Sequence, residues 1–114
     1  MKLTVYHLKT CDTCRKAIKA LKAADHALTL IDVRADGVSE RSLTEITAVV
    51  GWHKALNTRS TTWRGLQPSE KEDMDQTKAI ALMMEHPTLL KRPVIDTGDG
   101  ITVGWTADVQ AQYI

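Results

Sequence analysis

The chain has 114 residues, with 15 Lys+Arg against 14 Asp+Glu and a formal net charge of +1. That length fits one domain and leaves no room for two independent cores. The charge balance excludes a direct nucleic-acid binder that works by phosphate neutralisation, and the apolar runs are too short for a membrane span or a signal peptide. The expected location is therefore the cytoplasm, where structural disulfides are rare, so the two cysteines, Cys11 and Cys14, need another explanation.

Leu3–Leu8 alternates and is rich in β-branched and aromatic residues, which predicts a strand. Asp12–Asp25 is built of strong helix formers, with Cys14, Ile18 and Leu21 on one face. Leu28–Val33 reads as a second strand, and a strand–helix–strand run implies a parallel pair. Ser39 is placed to cap a helix reaching Val50, where Gly51 stops it; Leu43, Ile46 and Val50 form its apolar side, and Trp52–Leu56 reads as a short second helix. Asn57–Arg64 is polar and aperiodic and reads as a loop. Ser69 with Glu72 matches a capping box opening one or two helices through Glu85, with a break near Asp75 and an apolar side of Ile80, Met83 and Met84. His86–Pro87 ends the helical block. Val94–Asp96 and Ile101–Val103 flank Gly98-Asp99-Gly100, a hairpin signal, before a short helix over Thr106–Gln112. The expectation is an α/β domain with a four-stranded mixed sheet: a core of about 1–36 and 88–114, and a helical insert of about 37–87.

Cys11 falls at the strand-to-helix turn, where unsatisfied amides and the positive dipole end of the helix stabilise a thiolate. Arg15 and Lys16 lie one turn on, and Asp12 opposes them. Cys14 is in phase with Ile18 and Leu21 and is expected to point inward. An exposed nucleophile with a more buried partner suits reversible disulfide exchange. Two other readings stand beside it. A zinc site would need two further ligands that no second Cys pair or H-x3-H supplies, and Cys14 could be plain core filler. Placement of the pair in a β-α-β unit favours the redox reading.

Three segments then resemble one family in order along nearly the whole chain. Val5-Tyr6-His7-Leu8 followed by Cys11-Asp12-Thr13-Cys14-Arg15-Lys16-Ala17, the loop Leu56–Arg64, and Leu90-Lys91-Arg92-Pro93-Val94-Ile95 with Val103-Gly104-Trp105 are similar to motifs of the arsenate reductase (ArsC)-like family, within its YffB/Spx branch and nearest to YffB. The resemblance implies a thioredoxin-like fold with an inserted helical subdomain. It also implies that Cys11 is the nucleophile, that Arg92 and Arg59 hold an oxyanion, and that Pro93 is the cis-proline facing the active-site cysteine. A third arginine of the arsenate reductases corresponds here to Trp105, which weighs against arsenate as the substrate.

The implied function is a thiol-dependent reductase linked to glutathione or glutaredoxin and acting on a small anionic or disulfide substrate. No bound cofactor is expected, and glutathione serves as co-substrate to a monomer. Cys14 is a candidate resolving thiol and a departure from most of the family. Spx carries such a pair as a disulfide switch and binds RNA polymerase, so a non-enzymatic Cys11–Cys14 switch regulating a protein partner is the alternative.

Overall fold

The first strand, β1 (Lys2–His7), lies inside a four-stranded sheet, with β2 (Ala27–Asp32) on one side and β3 (Val94–Asp96) followed by β4 (Ile101–Val103) on the other. A strand flanked on both sides and covered on both faces buries successive residues rather than alternate ones, and Val5, Tyr6 and His7 are all buried. The computed structural model describes residues 1–114. Its backbone divides into two compact units: one of Met1–Asp36 with Arg92–Ile114, the other Gly37–Lys91. No helix is long and apolar enough to cross a membrane.

In the sheet unit, β1 leads through a turn to helix α1 (Asp12–Ala23) and then to β2 (Ala27–Asp32), parallel to β1 in a register running from Lys2 opposite Ala27 to His7 opposite Asp32. The helix ends two residues before the predicted Asp25, because Asp25 adopts the left-handed conformation at φ 64° that terminates helices. β2 begins one residue before the predicted Leu28 and excludes Val33. The Asp32 carboxylate accepts from the amides of Arg34 and Ala35, at 2.9 and 3.0 Å, and so turns the chain out of the ladder.

The remaining strands, β3 (Val94–Asp96) and β4 (Ile101–Val103), form the predicted hairpin, and β3 runs antiparallel to β1 with Tyr6 opposite Val94. The hairpin turn is held by Thr97 Oγ1, which accepts from the amides of Asp99 (3.2 Å) and Gly100 (3.0 Å); Gly98 supplies a φ of 89° that most side chains resist. The C-terminal helix, Ala107–Ala111, follows a Thr106 cap. The core of this unit joins both ends of the sequence: Leu3, Val5 and Leu21 pack with Ile95, Val109 and Tyr113, and Ile18, Leu28 and Trp105 cover the cluster.

The helical unit runs α2 (Glu40–Val50), α3 (Trp52–Ala55), α4 (Thr61–Arg64), α5 (Pro68–Lys71) and α6 (Gln76–Glu85), then a 3₁₀ turn over Pro87–Leu89. The terminal helix of the sheet unit is therefore α7. Ser39 caps α2 by accepting from the Ser42 amide at 3.1 Å.

The structure departs from five expectations. The Asn57–Arg64 loop contains a helical turn, because Ser60 Oγ caps it by accepting from the Trp63 amide at 3.1 Å. The capping glutamate is Glu70 rather than Glu72: its carboxylate accepts from the Gln67 amide at 3.0 Å, and Pro68 supplies the preset φ of a first helical residue. The apolar side of α6 is Ala79, Ile80, Leu82 and Met83, whereas Met84 is 44% exposed. His86 does not end the helical block, since Pro87–Leu89 continues it as a 3₁₀ turn. This turn and an isolated bridge between Leu56 and Leu90 keep residues 88–91 within the helical unit, so the boundary falls at Arg92 rather than near 88.

Candidate active site

Cys11 is the N-cap of α1. Its backbone is extended, at φ −85° and ψ 113°, and its amide donates to Leu8 O at 2.9 Å, which closes the turn leaving β1. Cap residues satisfy one of the free amides of a first helical turn with a side-chain acceptor. Here the acceptor is sulfur: the Cys14 amide donates to Cys11 Sγ at 3.4 Å. A thiolate serves this role better than a thiol, because it carries the charge that the helix terminus and its amides favour.

Cys14 is fully buried, as its phase with Leu21 predicts, and both sulfurs are free thiols. Burial pushes the Cys14 thiol up to about 12, and its hydrogen bond to Cys11 adds to the effect. For Cys11, burial also acts upward, but it is outweighed by the side-chain and backbone hydrogen bonds from Cys14 and then by the charge and hydrogen bond of Arg92, so its pKa lies below the ordinary thiol value. The pair is thus split in the sense that exchange chemistry needs. One sulfur ionises more readily than an ordinary thiol and the other holds its proton.

The placement of Arg92 follows from the sheet. β3 pairs antiparallel with β1, with Val94 opposite Tyr6, so the residues before Val94 run back along the end of β1 from which the Cys11 turn departs. The Arg92–Pro93 peptide bond is cis, and Pro93 is buried among the fully enclosed side chains. Pro93 O accepts from the Gly104 amide at 2.9 Å, where Gly104 has φ 84°. Arg15 and Lys16 turn out to serve another group: both pair with Asp12, each at 3.5 Å, on the exposed face of α1. The cation facing Cys11 is Arg92.

Cys11, Cys14, Arg92 and Pro93 all belong to the sheet unit, and Arg59 belongs to the helical unit. There Arg59 N donates to Asn57 Oδ1 at 3.1 Å, and the residue lines a groove of ≈ 300 Å³ with His53, Lys54, Asn57 and Lys91. Neither Lys54, Arg59 nor Lys91 is paired with a carboxylate. Trp105 covers the core of the sheet unit, and the Lys71 ammonium lies 5.4 Å from the Trp63 ring centre.

Asp32 escaped the sequence reading. It is buried, lies opposite His7 in the β1–β2 register, and accepts from Lys9, Arg34 and Ala35 amides at 3.3, 2.9 and 3.0 Å. Lys9 is two residues before Cys11, so this carboxylate ties the end of β2 to the loop that presents the nucleophile. An aspartate closing a strand with Arg and Ala beyond it is an Asx-turn signal that could have found it. His26 also had no sequence signal; its Nε2 lies 2.6 Å from Tyr113 O.

Comparison with known proteins gives the same grouping. The ArsC family model matches residues 6–112. An uncharacterized protein of Haemophilus influenzae is 45% identical over 95 residues, covering 82% of each chain. The regulatory protein MgsR of Bacillus subtilis is 28% identical over 105 residues, covering 90% of this chain and 82% of its own. The solved structure of a YffB protein superposes with a TM-score of 0.92 at 36% identity, covering 97% of both chains. By the extent of the family match and the identity of these relatives, the chain belongs to the ArsC family.

Proposed function

We propose that this chain is a thiol-dependent reductase in which Cys11 attacks as a thiolate. The observation that carries this reading is the cap position of Cys11, where the Cys14 donors and Arg92 hold its pKa below the ordinary thiol value against the effect of burial. Arg92 stabilises the attacking sulfur and holds an anionic group of the substrate or of glutathione; for Arg59 the family resemblance supplies an oxyanion-binding role. A guanidinium suits both roles because it is permanently charged and donates through a planar fork. Pro93 is structural. Glutathione or glutaredoxin supplies the reducing equivalents as a co-substrate, and no resident cofactor takes part. Cys14, or an external thiol, resolves the intermediate. Trp105 at the place of a third arginine favours a disulfide over arsenate as the oxidised substrate.

The test is turnover of bis(2-hydroxyethyl) disulfide with glutathione, with and without glutaredoxin. Cys11→Ser is expected to abolish it, and Arg92→Gln to reduce it by about two to three orders of magnitude, the range of one well-placed charge-stabilising donor. Full activity in Cys11→Ser would sink the reading.

A second reading is a redox switch without turnover, in which a Cys11–Cys14 disulfide alters a surface read by a protein partner. The presence of Cys14 beside Cys11 and the relative named regulatory protein MgsR favour it. Binding to purified RNA polymerase that changes with oxidant, in a protein without turnover, would decide for the switch.

A further inference from the structure

A second cleft lies in the sheet unit, walled in part by the turn that leads into the nucleophile. It has a volume of ≈ 370 Å³ and is lined by Leu8, Lys9, Thr10, Asp32, Arg34 and Ala35. Three of these are consecutive, and the last, Thr10, directly precedes Cys11 in the turn that leaves β1. Its surface is apolar. Leu8 and Ala35 are apolar, and Lys9 and Arg34 carry long aliphatic stems suited to such a surface.

The carboxylate of Asp32 adds no free negative charge to the wall, since it accepts from the Lys9, Arg34 and Ala35 amides. The neighbouring Asp36 carboxylate accepts from the Asp32 amide at 2.9 Å. Lys9 and Arg34 are exposed and neither pairs with a carboxylate. An apolar wall with two unpaired cations complements an apolar side chain next to an acidic one.

We propose that this cleft is a substrate subsite for the peptide flanking a disulfide-bonded cysteine, and that it selects an apolar residue followed or preceded by a carboxylate. The substrate class is then a protein or peptide disulfide. This rests on the reading of Cys11 as nucleophile and goes beyond it by naming what the nucleophile is presented with. In the step concerned, Cys11 sulfur donates an electron pair to the substrate cysteine sulfur and bonds to it. The substrate S–S bond breaks, and the departing sulfur leaves with that bond's electron pair and takes a proton from solvent. One substrate sulfur is thereby reduced, and Cys11 is joined to the other in a mixed disulfide. Arg34 and Lys9 steer the acidic group, and Leu8 and Ala35 take the apolar side chain.

The test is single-turnover formation of the Cys11 mixed disulfide, followed by mass spectrometry on the full chain. The probes are a short peptide with leucine and glutamate beside its cysteine, the same peptide with glycine and lysine there, each joined to 2-mercaptoethanol, and bis(2-hydroxyethyl) disulfide alone. The leucine–glutamate peptide is expected to react about tenfold faster than the glycine–lysine peptide, the scale of one apolar contact. Ala35→Glu, at an exposed position whose backbone N–H still donates to the Asp32 carboxylate, is expected to abolish that preference. Equal rates for the two peptides, or a preference that survives Ala35→Glu, would overturn the subsite while leaving the nucleophile intact. A Cys11 that reacts with none of the three disulfides would overturn both.

Discussion

Cys11 and Cys14 divide one task between two sulfurs of the same residue type. The difference between them is burial: Cys14 is fully enclosed and its thiol is pushed up to about 12, so it remains a proton donor to Cys11. Burial works against the Cys11 thiolate as well, and the Cys14 donors and Arg92 overcome it. The rate of Cys11 alkylation should therefore titrate at a pH below that of a free cysteine. Cys14→Ala should move the midpoint upward, Cys14→Ser less so because its hydroxyl still donates, and Arg92→Gln upward again; iodoacetamide kinetics against pH measure all three. Asp32 follows the same logic in a structural role. The Ala35 amide holds its carboxyl below the usual carboxylate value, against the effect of burial, and the Arg34 and Lys9 amides and His7 assist. A carboxyl depressed in the folded state stabilises the fold when ionised. That contribution is fully present above the unfolded carboxylate pKa of about 3.9 and is lost as pH falls through the lower folded value. Asp32→Asn should cost about 1–3 kcal/mol at pH 7, because an amide group cannot satisfy all three donors as a carboxylate does. The difference from the parent should shrink below pH 4, as read by urea unfolding.

At the scale of elements, α1 couples the core to the chemistry. Its inner face carries Cys14 and Leu21, both fully buried, and Leu21 packs with Leu3, Val5 and Ile95. Leu21→Ala should destabilise the chain by about 2–5 kcal/mol, the range for a buried leucine, measured by urea denaturation. Much of this element was legible beforehand because its signals are local and periodic. The strand before Cys11, the inward phase of Cys14 and the Gly98-Asp99-Gly100 hairpin are all set within a few residues. The helical block was less legible. A single Ser60 cap converts part of an aperiodic stretch into the Thr61–Arg64 turn, and a one-turn helix is too short to show a period. In α6 the buried positions include Leu82 in place of Met84, a choice settled by packing within that unit, which no short-range pattern records. The candidate site divides similarly. Cys11, Cys14 and Arg92 stand in recognisable motifs, whereas Asp32 acts through backbone amides and leaves only a turn signal.

Across the whole molecule, the sheet unit is assembled from two stretches of sequence separated by the helical unit. Its first 36 residues bring the cysteines, and the stretch from Arg92 onward brings the cation that faces them together with half of the core. Tyr113 shows the dependence most directly. It is 7% exposed, packs with Leu3 and Val5 from the opposite end of the chain, and its hydroxyl lies 2.8 Å from Thr102 Oγ1. Tyr113→Ala should cost about 3–5 kcal/mol, as for other buried aromatics. Because β1 and α1 lose packing with it, Cys11 alkylation should lose its depressed pH midpoint under mild urea before the parent protein does.

The sulfur that caps α1 is also the sulfur that reacts, and this makes the first turn of the helix a reporter. When Cys11 is free and ionised, its charge holds the Cys14 amide. Once that sulfur is joined to another it becomes neutral and a poor acceptor, and a lost cap is worth about 1 kcal/mol. Deuterium should then enter the Cys14 amide several-fold faster while the later turns of α1 stay protected. The occupancy of the nucleophile could thus be followed in intact protein by watching one backbone hydrogen, with no substrate or dye present.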